Sequence, residues 1–121
     1  MLLIDYYLEK STIHGFGIFT SSHISRGTKV WEFTPELDRK WTKEEFFKLP
    51  KKAQEYILHY GWLDPETQTY RFPFDHDRFI NCSDNPNVSG SGDEIFAIRD
   101  ILEGEEITFP FNEDELSINY R

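Results

Sequence analysis

Apolar residues along this chain fall in short runs broken by turn signals, a pattern that predicts many short strands. Leu2, Leu3, Ile4, Tyr6 and Tyr7 predict an opening strand. Ser11 to Gly17 is a turn-rich break in which Gly15 and Gly17 bracket Phe16. Gly17-Ile18-Phe19 starts a second strand. Ile24-Ser25-Arg26-Gly27-Thr28 reads as a turn, with Gly27 suited to a positive φ angle. Val30, Trp31 and Phe33 predict a third strand, stopped by Pro35.

Only the middle of the chain carries helical signals. Thr42 and Glu45 have capping-box spacing, followed by Phe46, Phe47 and Leu49. Pro50 can open a second helix in its first turn. Ala53, Tyr56, Ile57 and Tyr60 then fall at i, i+3, i+4 and i+7, one apolar face, and Gly61 is the expected stop.

Beyond Gly61 the short runs return. Trp62-Leu63 leads into a turn at Asp64-Pro65-Glu66-Thr67, and Thr69 to Phe74 predicts the returning strand. Arg78-Phe79-Ile80 is a short apolar piece. Asn81 to Gly92, dense in Asn, Ser, Asp, Pro and Gly, reads as one long loop. Glu94 to Arg99 carries apolar residues at both alternating sets of positions and predicts a strand buried on both sides. Glu103-Gly104 is a turn, and Ile107-Thr108-Phe109 a strand stopped at Pro110. There is no repeat, low-complexity run or linker. The fold class expected is mostly β (α+β), with a short central helical insertion.

Composition narrows the function. At 121 residues, one domain spanning 1–121 is the natural prior. Apolar residues make up 38% and aromatics 17%, with 11 Phe, so large rings can build the core. Acidic residues number 22 against 13 Lys and Arg, a formal charge of −9, which argues against nucleic acid as a partner. Cys82 is the only cysteine, which rules out an intrachain disulfide and a cysteine zinc cluster. His14, His23, His59 and His76 are scattered, with no HxxxH pair, so no metal is expected. No apolar run approaches the about 20 residues that cross a bilayer. Asp5 and Glu9, with no basic start, do not read as a signal peptide, so a cytoplasmic location is expected.

Three segments could carry chemistry. In His14-Gly15-Phe16-Gly17, two glycines let a backbone approach a ligand closely while the ring covers it. In Arg78-Phe79-Ile80-Asn81-Cys82-Ser83-Asp84-Asn85-Pro86-Asn87, asparagine amides offer donors and acceptors to a zwitterionic head group. Gly104-Glu105-Glu106-Ile107-Thr108-Phe109-Pro110-Phe111 is, alone, a turn and a strand. A tight turn, an Asx-rich loop and a plain strand are the structural alternatives for the three. Their order and spacing, from about Ile13 to Phe111, resemble the SET-domain protein lysine methyltransferases. The middle segment is similar to that family's Arg-Phe-Ile-Asn-His-Ser-Cys-x-Pro-Asn motif, and the last to its Gly-Glu-Glu-Leu-Thr-Phe-Asp-Tyr motif. The short length looks most like the compact bacterial and viral members.

The resemblance implies a β-clip-like fold of small curved sheets, with the last motif threaded beneath the Asn81–Asn87 loop as a pseudoknot. It implies S-adenosylmethionine as cofactor, cradled by the backbone of Gly15, Phe16 and Gly17, with Asn81 and the backbone of Cys82 holding its amino acid and adenine parts. It implies a lysine-bearing protein or peptide as substrate, entering a channel beside Phe109. The chain departs from the pattern at Cys82 (usually His), at Asp84 (often Cys) and at Pro110 (usually Asp). Phe111 falls where the family has its active-site Tyr. Tyr120 is one possible substitute hydroxyl, and Tyr56, Tyr60 and Tyr70 are others. Two functional readings follow: a lysine methyltransferase, slowed by Phe111, or a catalytically silent SET-fold module that binds cofactor or peptide. A small β-rich structural domain is a third reading, and it requires the ordered motif match to be accidental.

Overall fold

The computed structural model describes residues 1–91 and 93–111. The described residues contain four small sheets. Strands β1 (Tyr6–Lys10) and β2 (Phe16–Thr20) form an antiparallel pair. Strand β3 (Lys29–Glu32) continues the chain into β4 (Arg39–Thr42), helix α1 (Lys43–Phe47) and helix α2 (Lys51–Tyr60). Strands β5 (Trp62–Asp64) and β6 (Thr69–Phe72) close a three-stranded sheet in the order β4-β6-β5. A single 3-10 turn, His76–Phe79, leads into β7 (Asn81–Ser83), β8 (Val88–Ser91) and β9 (Glu94–Ala97). Strand β3 joins them in the order β3-β9-β8. The last strand, β10 (Thr108–Pro110), runs parallel to β7.

The helical insertion forms for the reasons legible in the sequence. The Thr42 side chain accepts from the Glu45 N–H at 3.1 Å, and the Glu45 carboxylate accepts from the Thr42 N–H at 2.8 Å. This reciprocal pair satisfies two otherwise orphaned donors at the start of α1. Gly61 ends α2, yet its φ of −107° is extended, so a left-handed cap is not the reason for glycine. A Cβ there would lie 2.1 Å from the Arg71 carbonyl oxygen, and glycine is what lets β6 approach.

The short central helical insertion is present as expected, and β4, β5 and β6 form a sheet of their own beside it. Two expectations need correction. Asn81 to Gly92 is not one loop, since β7 and β8 lie within it, paired to β10 and β9. Polar side chains there face a site and an edge, which hides the strands from an apolar pattern. Strand β9 is buried on one face only: Ile95 and Ala97 point inward, while Phe96 is 36% exposed.

The main core lies between the small sheets. Ile18, Trp31, Val30, Ile80, Val88, Ile101 and Ile107 are fully or almost fully buried in it. Isolated bridges stitch distant segments around this core, at Leu2 with Trp31, Phe19 with Glu106 and Ile24 with Ile101. The 81–87 segment grips the C-terminal segment at both ends. Residues 81–83 form the parallel ladder with β10, and the Asn87 N–H donates to the Thr108 carbonyl at 3.1 Å. This is the crossing expected for a segment threaded under that loop, an exception to the usual unthreaded topology.

Candidate functional site

The first of the three segments is a tight turn closed by Ser11. The Ser11 N–H donates to the Gly15 carbonyl at 2.8 Å, and the Ser11 Oγ accepts from the Ile13 N–H at 2.9 Å. Gly15 sits at φ +49°, the left-handed region that glycine enters without a Cβ penalty. Among the described residues, no atom outside its chain neighbours lies within 4 Å of where its Cβ would be, which leaves space beside the turn. Gly17 is a glycine for another reason. A Cβ there would fall 2.2 Å from Glu106 Oε2. The close approach seen at Gly17 is therefore to a carboxylate of the chain itself.

Asn81 unites the three segments. Its Nδ2 lies 3.0 Å from the His14 carbonyl oxygen, 3.2 Å from the Phe16 carbonyl oxygen and 2.9 Å from Glu106 Oε2. Two amide hydrogens are shared among these three acceptors. Glu106 is held from its other side by the Ser11 hydroxyl, at 2.8 Å and 2.9 Å from its two oxygens. The strand ladder fixes Asn81 itself, since Asn81 pairs with Thr108.

Asn87 performs the matching task one turn away. Its Oδ1 accepts from the Thr108 N–H at 2.9 Å, and its Nδ2 donates to the Glu106 carbonyl at 2.7 Å. This amide replaces backbone partners where the strand has none, so it is buried and fully used. Glu105 braces the turn before it. Its carboxylate accepts from the Leu102 N–H at 3.0 Å and pairs with Arg99 at 2.8 Å. Partial burial pushes the Glu105 carboxyl up, but the bonds from Arg99, the Leu102 N–H and Asn87 outweigh it and hold it below its ordinary value.

The aromatic positions divide into covered and open. Phe109 is half-buried against the main core and stands opposite Cys82 in the β7–β10 ladder. Phe16 is 54% exposed and Phe111 53% exposed. Tyr120 lies outside the described residues. Of the other candidate hydroxyl donors, Tyr70 is buried in the insertion, stacked on Phe46 at 3.8 Å. The Tyr56 hydroxyl accepts from Arg78 at 3.1 Å. Tyr60 packs edge-on against Tyr56 and Phe79.

The strand pairings and hydrogen bonds bring together the three segments that hold Gly15, Phe16, Gly17, Asn81, Cys82 and Phe109, with Phe111 directly after β10. The residue pattern assigns no separate role to Ser11 or Asn87. A serine two and three residues before backbone N–H groups in a turn was the available signal for Ser11. Nothing local marks Asn87, whose partners lie about twenty residues ahead. Among the described residues, no group of His, Cys, Asp and Glu is arranged to hold a metal ion.

Comparison with known proteins gives the same picture. The chain is 32% identical over 84% of its length to histone-lysine N-methyltransferase ATX2 of Arabidopsis thaliana. It is 32% identical over 83% of its length to the H3 lysine-36 specific histone-lysine N-methyltransferase of Cryptococcus neoformans. It spans only 10% and 13% of the lengths of those two proteins. The fold is similar to a candidate histone methyltransferase of Plasmodium falciparum, with a TM-score of 0.63 at 17% identity, covering 93% of this chain and 96% of that one. It is also similar to a chain of a humanized Chaetomium thermophilum Polycomb Repressive Complex 2 bound to the inhibitor GSK126, with a TM-score of 0.67 at 20% identity, covering 91% of this chain and 15% of that one. The family model for the SET domain matches residues 15–112, the stretch that contains all three segments, and the chain therefore belongs to the SET-domain family.

Proposed function

We propose that this chain is an S-adenosylmethionine-dependent protein-lysine N-methyltransferase. The observation that carries the reading is the convergence on Asn81 of the turn at 14–17 and the strand leading from Glu106. The residues present fit a cation-bearing cofactor. The His14 and Phe16 carbonyls and the Glu106 carboxylate gather acceptors at one place, and the space beside Gly15 is open. An ammonium and a sulfonium are the charges such a donor set favours.

When bound, S-adenosylmethionine supplies a methyl group already activated by its sulfonium. The Gly15–Gly17 backbone and Asn81 would hold its amino acid part, and the Cys82 backbone its adenine. The chain's remaining work is to present a neutral lysine amine in line with the C–S bond, and alignment of this kind supplies several kcal/mol, roughly 7–11 at best. Aromatic walls such as Phe109 disfavour the charged ammonium and lower the lysine pKa. A net charge of −9 steers a lysine-rich peptide toward the surface. Phe111 offers a ring without a hydroxyl, and loss of one preorganised donor costs about 10²–10³ in rate.

That missing hydroxyl favours the second reading, a SET-fold module that binds cofactor or peptide without turnover. Calorimetry with S-adenosylmethionine followed by labelled methyl transfer to a lysine-rich peptide pool separates the two. The enzyme reading predicts binding and slow transfer, raised about 10²-fold in Phe111→Tyr. Binding without transfer in either chain would establish the module. Absence of binding at millimolar cofactor would remove the enzyme and the cofactor-binding module, and leave only a module that binds peptide.

A further inference from the structure

Ser11 lies ahead of the 15–112 stretch that matches the family model, yet its hydroxyl touches the centre of the site. Four groups meet there in a closed circuit. The Ser11 hydroxyl donates its one proton to the Glu106 carboxylate, shared between oxygens at 2.8 Å and 2.9 Å. The same oxygen accepts from the N–H of Ile13 at 2.9 Å, with the His14 N–H at 3.5 Å. Glu106 accepts from Asn81, and Asn81 returns to the turn through the His14 and Phe16 carbonyls. The loop of contacts thus begins and ends in one turn and passes through Glu106, 95 positions from Ser11, and Asn81, 65 positions from Phe16.

We infer that Ser11 is a positioning residue for the cofactor-facing turn, acting through Glu106 and Asn81. The Glu106 carboxylate lies against the bare Cα of Gly17, where the side-chain donors reaching it among the described residues are Ser11 and Asn81. Removing the Ser11 hydroxyl takes away one of these two and leaves the carboxylate free to swing. Asn81 then loses its fixed acceptor, and its two hydrogens redistribute over the turn carbonyls. Hydrogen bonds to charged groups are the stronger class, so the effect is large enough to measure. Ser11 touches no reacting atom, and its role is to hold the turn in the shape that binds.

This inference rests on the cofactor reading above, and its test separates the two. Ser11→Ala and Ser11→Thr are compared with the parent chain for S-adenosylmethionine affinity, for Tm and for hydrogen exchange of the Asn81 side-chain amide by NMR without ligand. The expected result is a cofactor Kd weakened about tenfold in Ser11→Ala. Exchange of the Asn81 amide speeds up selectively, KM for a lysine peptide stays unchanged, and Thr restores both. Unchanged Kd and unchanged Asn81 exchange in Ser11→Ala would overturn the role. So would a uniform rise in exchange with a falling Tm that Thr does not reverse, since that marks a plain structural residue. If the parent chain binds no cofactor, the functional reading falls, and the Asn81 exchange arm alone decides for or against Ser11.

Discussion

Buried apolar side chains form two clusters, one drawn from the whole chain and one confined to residues 41–72. The main cluster takes Leu2, Ile18, Val30, Trp31, Ile80, Val88, Ile101 and Ile107 from segments far apart in sequence. The insertion cluster rests on Phe46, Ile57 and Tyr70, with Trp41, Leu49, Leu58, Leu63 and Phe72 around them. Arg71 joins the two. It is buried, pairs with the buried Asp64 at 3.4 Å, reaches Asp93 on the main-core side and lies 4.7 Å over the Phe33 ring. The insertion is thus closed mainly by local contacts, while the main core exists only when distant segments meet. The site belongs to the second kind, because each hydrogen bond described for the Asn81 and Glu106 side chains spans 25 residues or more.

The largest expected effect tests whether these clusters melt separately. Phe46 is 1% exposed and stacks on Tyr70 at 3.8 Å. Phe46→Ala is expected to cost about 3–5 kcal/mol, through lost transfer energy and a cavity. Amide exchange over residues 39–72 should quicken, while residues 16–20, 81–83 and 107–109 keep their protection. Equal loss in both regions would show that Arg71 welds them into one cooperative unit.

A smaller effect distinguishes the two glycines of the first motif. Gly17→Ala pushes Glu106 off its seat and breaks its bonds to Ser11 and Asn81, an expected loss of about 1–3 kcal/mol. Gly15→Ala meets no neighbour and costs only the left-handed backbone, about 1–2 kcal/mol. The discriminating readout is Asn81 side-chain exchange, which Gly17→Ala should speed and Gly15→Ala should leave alone. The reverse order would mean that Glu106 is not what Gly17 accommodates.

Legibility followed the same division. Thr42 and Glu45 announce α1, because that signal acts within one turn of chain, whereas Gly61 falls at the end of α2 but is required by the approach of Arg71 on β6. The site segments were legible only as an ordered set, by resemblance. The partners that hold them were hidden. Asn81–Ser83 looks like loop because its ladder partner is β10, beyond two intervening strands. Phe96 looks like core because its type is apolar, yet β9 turns that face outward. Strand β4 carries Arg39, Lys40 and Thr42 on a mostly exposed ladder, so no apolar alternation reveals it. Where a residue's partner is four positions away, type and spacing suffice. Where the partner lies across the fold, the choice between strand and loop is settled by packing that the local pattern does not contain.

The smallest expected effect sets the junction against the site by pH. Asp77 is buried in the 3-10 turn between the insertion and β7, and its Oδ1 has no hydrogen-bond partner among the described residues. Burial raises its pKa well above the ordinary aspartate value, with Asp75 adding to the effect, Asp38 contributing a little and the Met1 ammonium opposing it. The native chain therefore binds the extra proton. Stability from this group is complete below the ordinary carboxylate pKa and is lost as pH rises through the elevated native value. Glu105 has the opposite sign. Its native pKa is lowered, so its contribution is present above the ordinary glutamate pKa and is lost as pH falls through the native value. Asp77→Asn should flatten the fall in stability that begins above the ordinary carboxylate pKa and raise Tm at pH 8 by roughly 3–6 °C, about 1 kcal/mol. Glu105→Gln should instead flatten the acid fall and leave the alkaline side intact. Tm profiles from pH 4 to 9 for the parent and both variants check this. A parent profile with no fall above the ordinary carboxylate pKa that Asp77→Asn removes would mean that Asp77 is charged in the native protein, with its burial relieved by a partner.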